Sequence, residues 1–260
     1  MKIATWNVNS IRSRLDHVKG WLLNNSVDVL CLQETKVVDA DFPRSTFDEL
    51  GYQVYVYGQK SYNGVAILSR LPVVDVAMGF GPVLGTNGGD FEEQKRVIAG
   101  TVDGVRIVNV YVPNGSEVGS DKYVYKLGWL KVLREYLKIS IDKYDCLCIC
   151  GDFNVALEDK DIHNPKAYKG QVMASEPERE GLREVLSLGL ADTFRKFSEE
   201  GGQYSWWDYR GGSFARNRGW RIDHLYATSN LYERAIGCLI DMEPRKLEKP
   251  SDHTPVILEV

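Results

Sequence analysis

Short apolar runs rich in β-branched residues recur along this chain, at 2–8, 27–33, 52–57, 65–69, 97–102, 105–111, 146–151, 222–227 and 255–260. Runs of that length, bounded by turn-forming residues, predict strands. Asp103-Gly104 separates two of them and predicts a tight hairpin, because both residue types tolerate the positive φ of a two-residue turn. Other segments keep helical spacing instead. Ile11, Leu15, Val18 and Leu22 recur at i, i+4 and i+7, and Leu127, Leu130, Leu133 and Leu137 follow at steps of three and four within 122–140. A third helix is expected from Ser175, where Ser175 and Glu178 have capping-box form, Pro177 suits a first turn, and Leu182, Val185 and Leu186 give an apolar face. The glycine-rich stretch 79–89 reads as a surface loop between strands. Many strands mixed with helices predict an α/β sandwich. No Pro/Ser-rich linker interrupts it, so residues 1–260 are expected to form a single domain.

Composition adds limits. Hydrophobic content of 43% with 26% charged residues is ordinary globular usage, enough for a core without disulfides. The first residues lack the apolar stretch of a signal peptide, and no run reaches membrane-spanning length. A cytoplasmic monomer with no membrane partner is expected. Cys146, Cys148 and Cys150 alternate on one predicted strand, which places them on one face as small buried hydrophobes rather than as zinc ligands. The net charge of −4 excludes polyanion binding driven by overall charge, so any nucleic-acid contact must be local. Between Tyr209 and Arg221 the chain offers Arg210, Arg216, Arg218 and Arg221 among glycines and aromatics, a candidate phosphate-facing loop.

The chemistry-bearing residues sit where apolar strands end. Glu34 follows Val29-Leu30-Cys31-Leu32-Gln33, Asp152 follows Cys148-Ile149-Cys150-Gly151, and Asp223 and Asp252 each precede a histidine, His224 and His253. Two polar pairs echo one another: Asn7-Val8-Asn9 and Asp152-Phe153-Asn154. On extended backbone, residues i and i+2 share a face, so two packed sheets would each deliver such a pair into one cleft. Hydrolysis of a phosphodiester needs an activated water, positive charge on the non-bridging oxygens and help for the departing oxygen. Carboxylates at converging strand ends suit that task, since Mg²⁺ takes one or two carboxylates and keeps waters for a phosphate.

Six blocks occur in order: Thr5-Trp6-Asn7-Val8-Asn9, Leu32-Gln33-Glu34-Thr35-Lys36, Asn109-Val110-Tyr111-Val112-Pro113-Asn114, Gly151-Asp152-Phe153-Asn154, Arg221-Ile222-Asp223-His224 and Ser251-Asp252-His253. In this combination the chain resembles the endonuclease/exonuclease/phosphatase superfamily of DNase I-like enzymes, over residues 2–260. Ser175-Glu176-Pro177-Glu178-Arg179-Glu180 and Asp192-Thr193-Phe194-Arg195 look like its bacterial exonuclease III branch. The fold this implies is a four-layered α/β sandwich, two packed mixed β-sheets flanked by helices. The activity it implies is repair of duplex DNA: incision 5′ to abasic sites, 3′-to-5′ exonuclease action and 3′ end cleaning. A phosphatase of the same fold, acting on inositol phosphate or phospholipid, is the alternative.

The resemblance also implies roles. Glu34 would be the principal ligand of Mg²⁺, with Mn²⁺ as a substitute, Asn7 nearby and Asp252 at the same or a second position; Asp152, Asn154 and His253 complete the metal-contacting set. Asp152 would orient or deprotonate the attacking water, Asn154 would donate to charge developing on the phosphate, and Tyr111 would bring its hydroxyl there. His253, held by Asp223, would contact the phosphate or act as acid/base. DNA contacts are implied for Arg96, Asn114 and Asn217, while Trp206, Trp220 and Ile222 would wall a pocket for a baseless sugar. The exonuclease III pattern carries leucine where Trp220 stands, so the resemblance leaves the balance of the two nuclease activities open.

Overall fold

The computed structural model describes residues 1–260, apart from the side chains of Thr86 and Asn87. In chain order the strands are β1 (Lys2–Asn7), β2 (Val29–Gln33), β3 (Gln53–Tyr57), β4 (Val65–Ser69), β5 (Val73–Met78), β6 (Val97–Val102), β7 (Val105–Tyr111), β8 (Leu147–Asp152), β9 (Leu190–Asp192), β10 (Asp223–Thr228), β11 (Gly237–Ile240) and β12 (Val256–Glu259). The α-helices are α1 (Leu15–Asn24), α2 (Arg44–Asp48), α3 (Gly81–Leu84), α4 (Asp121–Lys143), α5 (Glu176–Leu186) and α6 (Ser229–Arg234). One six-stranded sheet runs β11-β12-β1-β2-β4-β3 and the other β5-β6-β7-β8-β10-β9. The central pair of each, β1 with β2 and β7 with β8, is parallel, and the other neighbours are antiparallel. Parallel neighbours need a crossover. Helix α1 supplies it in the first sheet and α4 in the second.

Three apolar layers hold the sandwich. Between the sheets, Ile3, Cys31 and Ile67 meet Ile107, Cys150 and Leu225. Outside the first sheet, Trp6, Leu30 and Leu32 pack with Val18 and Trp21 of α1 and Phe47 of α2. Outside the second, Val108, Val110 and Ile149 pack with Trp129, Leu133 and Leu137 of α4 and with Leu182 and Val185 of α5. Each such side chain, buried on folding, contributes about 1.5–3 kcal/mol. Central strands covered on both faces therefore read as continuous apolar runs, which is why they were legible in the sequence. The four expected layers are present. Cys148 and Cys150 are buried between the sheets, Cys146 is half-buried, and all the cysteines are free.

The predicted hairpin forms with Asp103 and Gly104 both at positive φ, joining Val102 directly opposite Val105. Gly151 cannot be replaced so easily: a Cβ there would lie 1.9 Å from the Val110 carbonyl, and its φ is 141°. Close approach of β7 and β8 thus requires glycine immediately before Asp152. Helix α5 begins with the expected capping box on Ser175.

Other expectations fail for physical reasons. Strands β5, β9 and β11 escape the pattern because all three are edge strands, β5 mostly exposed, β11 four residues long and β9 three. Stretch 79–89 is not a plain surface loop: it carries α3 and the start of a 3-10 turn, with Phe80 buried 5.2 Å from the Trp129 ring. Ile11 is buried, yet lies in a turn ahead of α1.

Toward the carboxyl ends of the parallel pairs, the layer between the sheets becomes polar. Asn109 of β7 accepts from Gln33 Nε2 (2.7 Å) and donates to the backbone carbonyls of Leu32 (3.0 Å) and Ala66 (2.9 Å) on the opposite sheet. Gln33 also donates to Thr5 Oγ1 at 2.8 Å. Asn109→Leu keeps the volume and strands these partners, each at about 1–3 kcal/mol. We expect urea unfolding to show a loss of at least ~3 kcal/mol; a near-neutral variant would show that the seam does not hold the sheets.

Candidate active site

The four parallel strands end together. Asn7 closes β1, Glu34 follows β2, Tyr111 closes β7 and Asp152 closes β8. Asn7 Nδ2 bridges the two sheets, donating to Glu34 Oε1 (2.9 Å) and Asp152 Oδ2 (2.8 Å). Both polar echoes form the same local turn: Asn9 N donates to Asn7 Oδ1 (3.0 Å) and Asn154 N to Asp152 Oδ1 (2.9 Å). Asn9 and Asn154 adopt φ of 44° and 49°, so these pairs are not the extended i, i+2 faces expected from sequence. Asparagine tolerates that conformation, and its short side chain closes the turn. Glu34 and Lys36 are also left-handed, at φ 50° and 57°. Four left-handed non-glycine residues thus sit at the site's turns.

Three carboxylates and one imidazole set the electrostatics. His253, delivered by the loop before β12, faces Asp223 through Nδ1 (2.9 and 3.1 Å) and Asp152 through Nε2 (3.7 Å). Burial alone would depress the imidazole, but Asp223 and then Asp152 outweigh it and raise its pKa to about 10. Burial pushes Asp152 up to about 7, with His253 opposing and Asp223 reinforcing the shift. Glu34 stays low: burial opposes this, while the Lys36 ammonium 2.8 Å away and the Asn7 amide prevail. Burial, followed by Glu34 and Asp152, raises Tyr111 well above the ordinary phenol value, which keeps it a neutral donor. Asp252 accepts from Asn9 Nδ2 and Trp206 Nε1, both at 3.0 Å.

Glu34, Asp152 and His253 present ligand atoms within 4.8 Å of one another. The two carboxylates suit a hard divalent cation. Asn7 and Asn154 turn N–H groups toward these carboxylates, and His253 is engaged as a donor, so the oxygens belong chiefly to Glu34 and Asp152.

Beside this cluster lies a cavity of about 510 Å³ lined by His163, Tyr168, Met173, Trp206, Arg218 and Trp220. Trp206 links the two, since its ring centroid lies 6.5 Å from that of His253. Trp220 is core and wall at once, 4% exposed and edge-on to Tyr168 and Trp206. Ile222 is not a wall residue; it is 1% exposed and packs behind Trp220 against Ile162 and Met173. Trp207 is fully buried against Phe214.

The expected basic loop is divided. Arg210, Arg216 and Arg218 are exposed, but Arg221 is buried and bound to Asp161 (2.7 Å) and Asp192 (2.8 Å), so it cannot reach a phosphate. Arg96 is largely buried, stacked 4.6 Å from the Tyr111 ring centre and bonded to Gln94 and the Tyr111 carbonyl, which fixes that tyrosine. Asn114 is exposed and donates to Asn154 Oδ1 at 3.0 Å. Asn217 braces its own loop, accepting from Trp207 and donating to Gly202. Sequence reasoning gave no role to Lys36, which stood inside a recognised block, nor to His163 and Tyr168, whose irregular segment has no periodicity to mark it. Ser205 and Ser251 were missed too. Ser205 Oγ accepts from the Ile222 and Asp223 amides (3.1 and 3.0 Å), and Ser251 Oγ donates to the Asn7 carbonyl (2.7 Å).

Paired mixed sheets that bring an acidic cluster, a carboxylate-held imidazole and a neutral tyrosine to one edge define a metal-dependent phosphoesterase of the DNase I-like class. The model of the Endonuclease/Exonuclease/phosphatase family matches residues 4–253, and the chain belongs to that family. Within it the chain is a DNA-acting nuclease of the exodeoxyribonuclease III type. It is 34% identical to exodeoxyribonuclease III of Haemophilus influenzae, covering 100% of this chain and 99% of the relative. A 3′ phosphatase from Neisseria bound to product DNA hairpin superposes with a TM-score of 0.95 at 40% identity, covering 100% of this chain and 98% of that one. An AP endonuclease from Archaeoglobus fulgidus does so with 0.93, again at 40% identity and with 100% and 98% coverage. These relatives are named for work on DNA, which does not favour the inositol phosphate or phospholipid alternative.

Asp223 gives the largest upward push on His253, so Asp223→Asn should lower the imidazole pKa from about 10 by at least one unit in metal-free protein. Imidazole NMR titration measures it. The sign follows: a raised pKa means this pairing stabilises the fold fully below the ordinary value of about 6.5 and is lost as pH rises through 10. An unshifted titration in the variant would remove Asp223 as the cause.

Proposed function

We propose that this chain is a DNA-repair nuclease, a monomer of one domain acting in the cytoplasm, that cuts duplex DNA 5′ to abasic sites and clears nucleotides and blocking groups from 3′ ends. The observation that carries this reading is the facing pair Glu34 and Asp152, one from each sheet, beside a cavity with aromatic walls. The named activities of the Neisseria and Archaeoglobus relatives support both branches of it.

Glu34 and Asp152 would hold Mg²⁺, with Mn²⁺ able to replace it and Asp252 available for a further position. When bound, the ion supplies positive charge to the non-bridging oxygens of the phosphate. The chain's own groups do the rest. Asp152, at the end of β8 and facing Glu34, is the carboxylate that would take a proton from the attacking water. His253, protonated and oriented by Asp223, donates to the phosphate, and the Tyr111 hydroxyl donates there or to the leaving oxygen. Asn154 Nδ2 donates to the Val112 carbonyl at 3.0 Å but meets Asp152 only at 3.3 Å, so its second N–H can turn to the developing charge. Asn114 at this edge and Arg218 at the cavity would meet the flanking backbone. A baseless sugar forfeits little stacking when extruded into the cavity, whereas an intact nucleotide must give up a few kcal/mol.

Cleavage of an abasic duplex, an intact duplex and a duplex with a 3′-phosphate, each with and without EDTA, tests the proposal. EDTA should abolish all activity, and Glu34→Ala should be nearly inactive at low Mg²⁺ and partly restored at high Mg²⁺ or Mn²⁺. Asp152→Asn should slow single-turnover cleavage by about 10²-fold or more with little change in DNA affinity. Activity that survives chelation would sink the metal reading.

Tyr168 lines the cavity without bonding to the catalytic cluster. Tyr168→Ala should lower the ratio of abasic to intact-site cleavage and leave the metal requirement alone. An unchanged ratio would remove the cavity from substrate choice.

A further inference from the structure

Beneath the catalytic turns lies an ion pair with no solvent exposure on either partner, Lys126 of α4 with Glu178 of α5. The ammonium has three protons and three acceptors: Glu178 Oε1, the Asn154 carbonyl (2.7 Å) and the Asn114 carbonyl (3.1 Å). Glu178 in turn receives Met173 N at Oε1 (2.9 Å) and both the amide and hydroxyl of Ser175 at Oε2. One pair therefore ties two helices to the turns at 114 and 154 and to segment 173–175. The packing is close. A Cβ added to Gly115 would meet Lys126 Cδ at 3.1 Å.

Stability is a weak reason for such a pair, because apolar side chains of equal volume often serve as well. Its geometry gives a better one. Asn154 is left-handed, at φ 49°, and its carbonyl points inward to the ammonium while its amide faces Asp152. Asn114, anchored by the same ammonium, donates to Asn154 Oδ1 and so fixes which way that amide turns. We propose that Lys126, paired with Glu178, is a positioning residue for phosphodiester cleavage, holding the Asn154 amide where it can donate to the phosphate. This rests on the phosphate role given to Asn154 above.

The experiment is a double-mutant cycle on Lys126 and Asn154, read by single-turnover cleavage of an abasic duplex at saturating enzyme, with melting temperature and DNA affinity measured alongside. Misplacing a reacting group by about 1 Å can cost ~10²-fold, so Lys126→Met should slow cleavage by about 10- to 100-fold. Affinity should change little. In an Asn154→Ala background, Lys126→Met should cost nothing further, since the group it positions is gone. A merely structural lysine would give losses that multiply, and that result overturns the proposal, as does a full rate in folded Lys126→Met. If Lys126→Met does not fold, Glu178→Gln enters the same cycle with the same expectation. A full rate in Asn154→Ala would instead overturn the reading of Asn154 itself, with the proposal falling as its consequence.

Discussion

The contact on which the rest depends is the amide of Asn109, reaching from one sheet to the backbone carbonyls of the other. Apolar layers attract without fixing register, because burial is non-directional. A hydrogen bond to a particular carbonyl does fix it. Asn109 stands two residues before Tyr111, and its partner Gln33 stands one before Glu34. Locking these residues together therefore sets the spacing of Glu34 and Tyr111, which come from different sheets. The Asn7 bridge to Glu34 and Asp152 repeats the device one layer closer to solvent.

Much of this was legible in the sequence, and the boundary has a physical basis. Central strands covered on both faces announce themselves as unbroken apolar runs, and acids at their ends stand out. Glu34, Asp152 and the Asp223–His253 pair are all assembled in the structure. Arg221 was misread because a buried guanidinium and an exposed one look alike in one dimension; only Asp161 and Asp192, distant in sequence, distinguish them. Ile222 and Trp220 share one apolar cluster, yet only Trp220 reaches the cavity, a difference of depth that the alternation of residues does not record. Lys126 sat inside a helix that was correctly anticipated, where a lysine is ordinarily taken for a solvated position.

The electrostatic design accounts for a DNA-acting chain with net charge −4. Acidic groups gather where a cation is needed, and each is offset by a local partner: Lys36 for Glu34, His253 for Asp152 and Asp223, and the Trp206 and Asn9 N–H groups for Asp252. Exposed arginines lie on the neighbouring loop rather than in the cluster. Exposed positive charge and the buried acidic cluster are thereby kept on different elements.

The first and last strands, β1 and β12, pair antiparallel, and Ser251 grips the Asn7 carbonyl across a separation of 244 residues. Synthesis proceeds from the amino terminus, and domains fold as units during it. A growing polypeptide that has exposed Asn7, Glu34 and Asp152 still lacks the imidazole that completes the cluster. The cluster therefore closes only once segments 244 residues apart have met, so its assembly reports on the pairing of β1 with β12 rather than on any local turn.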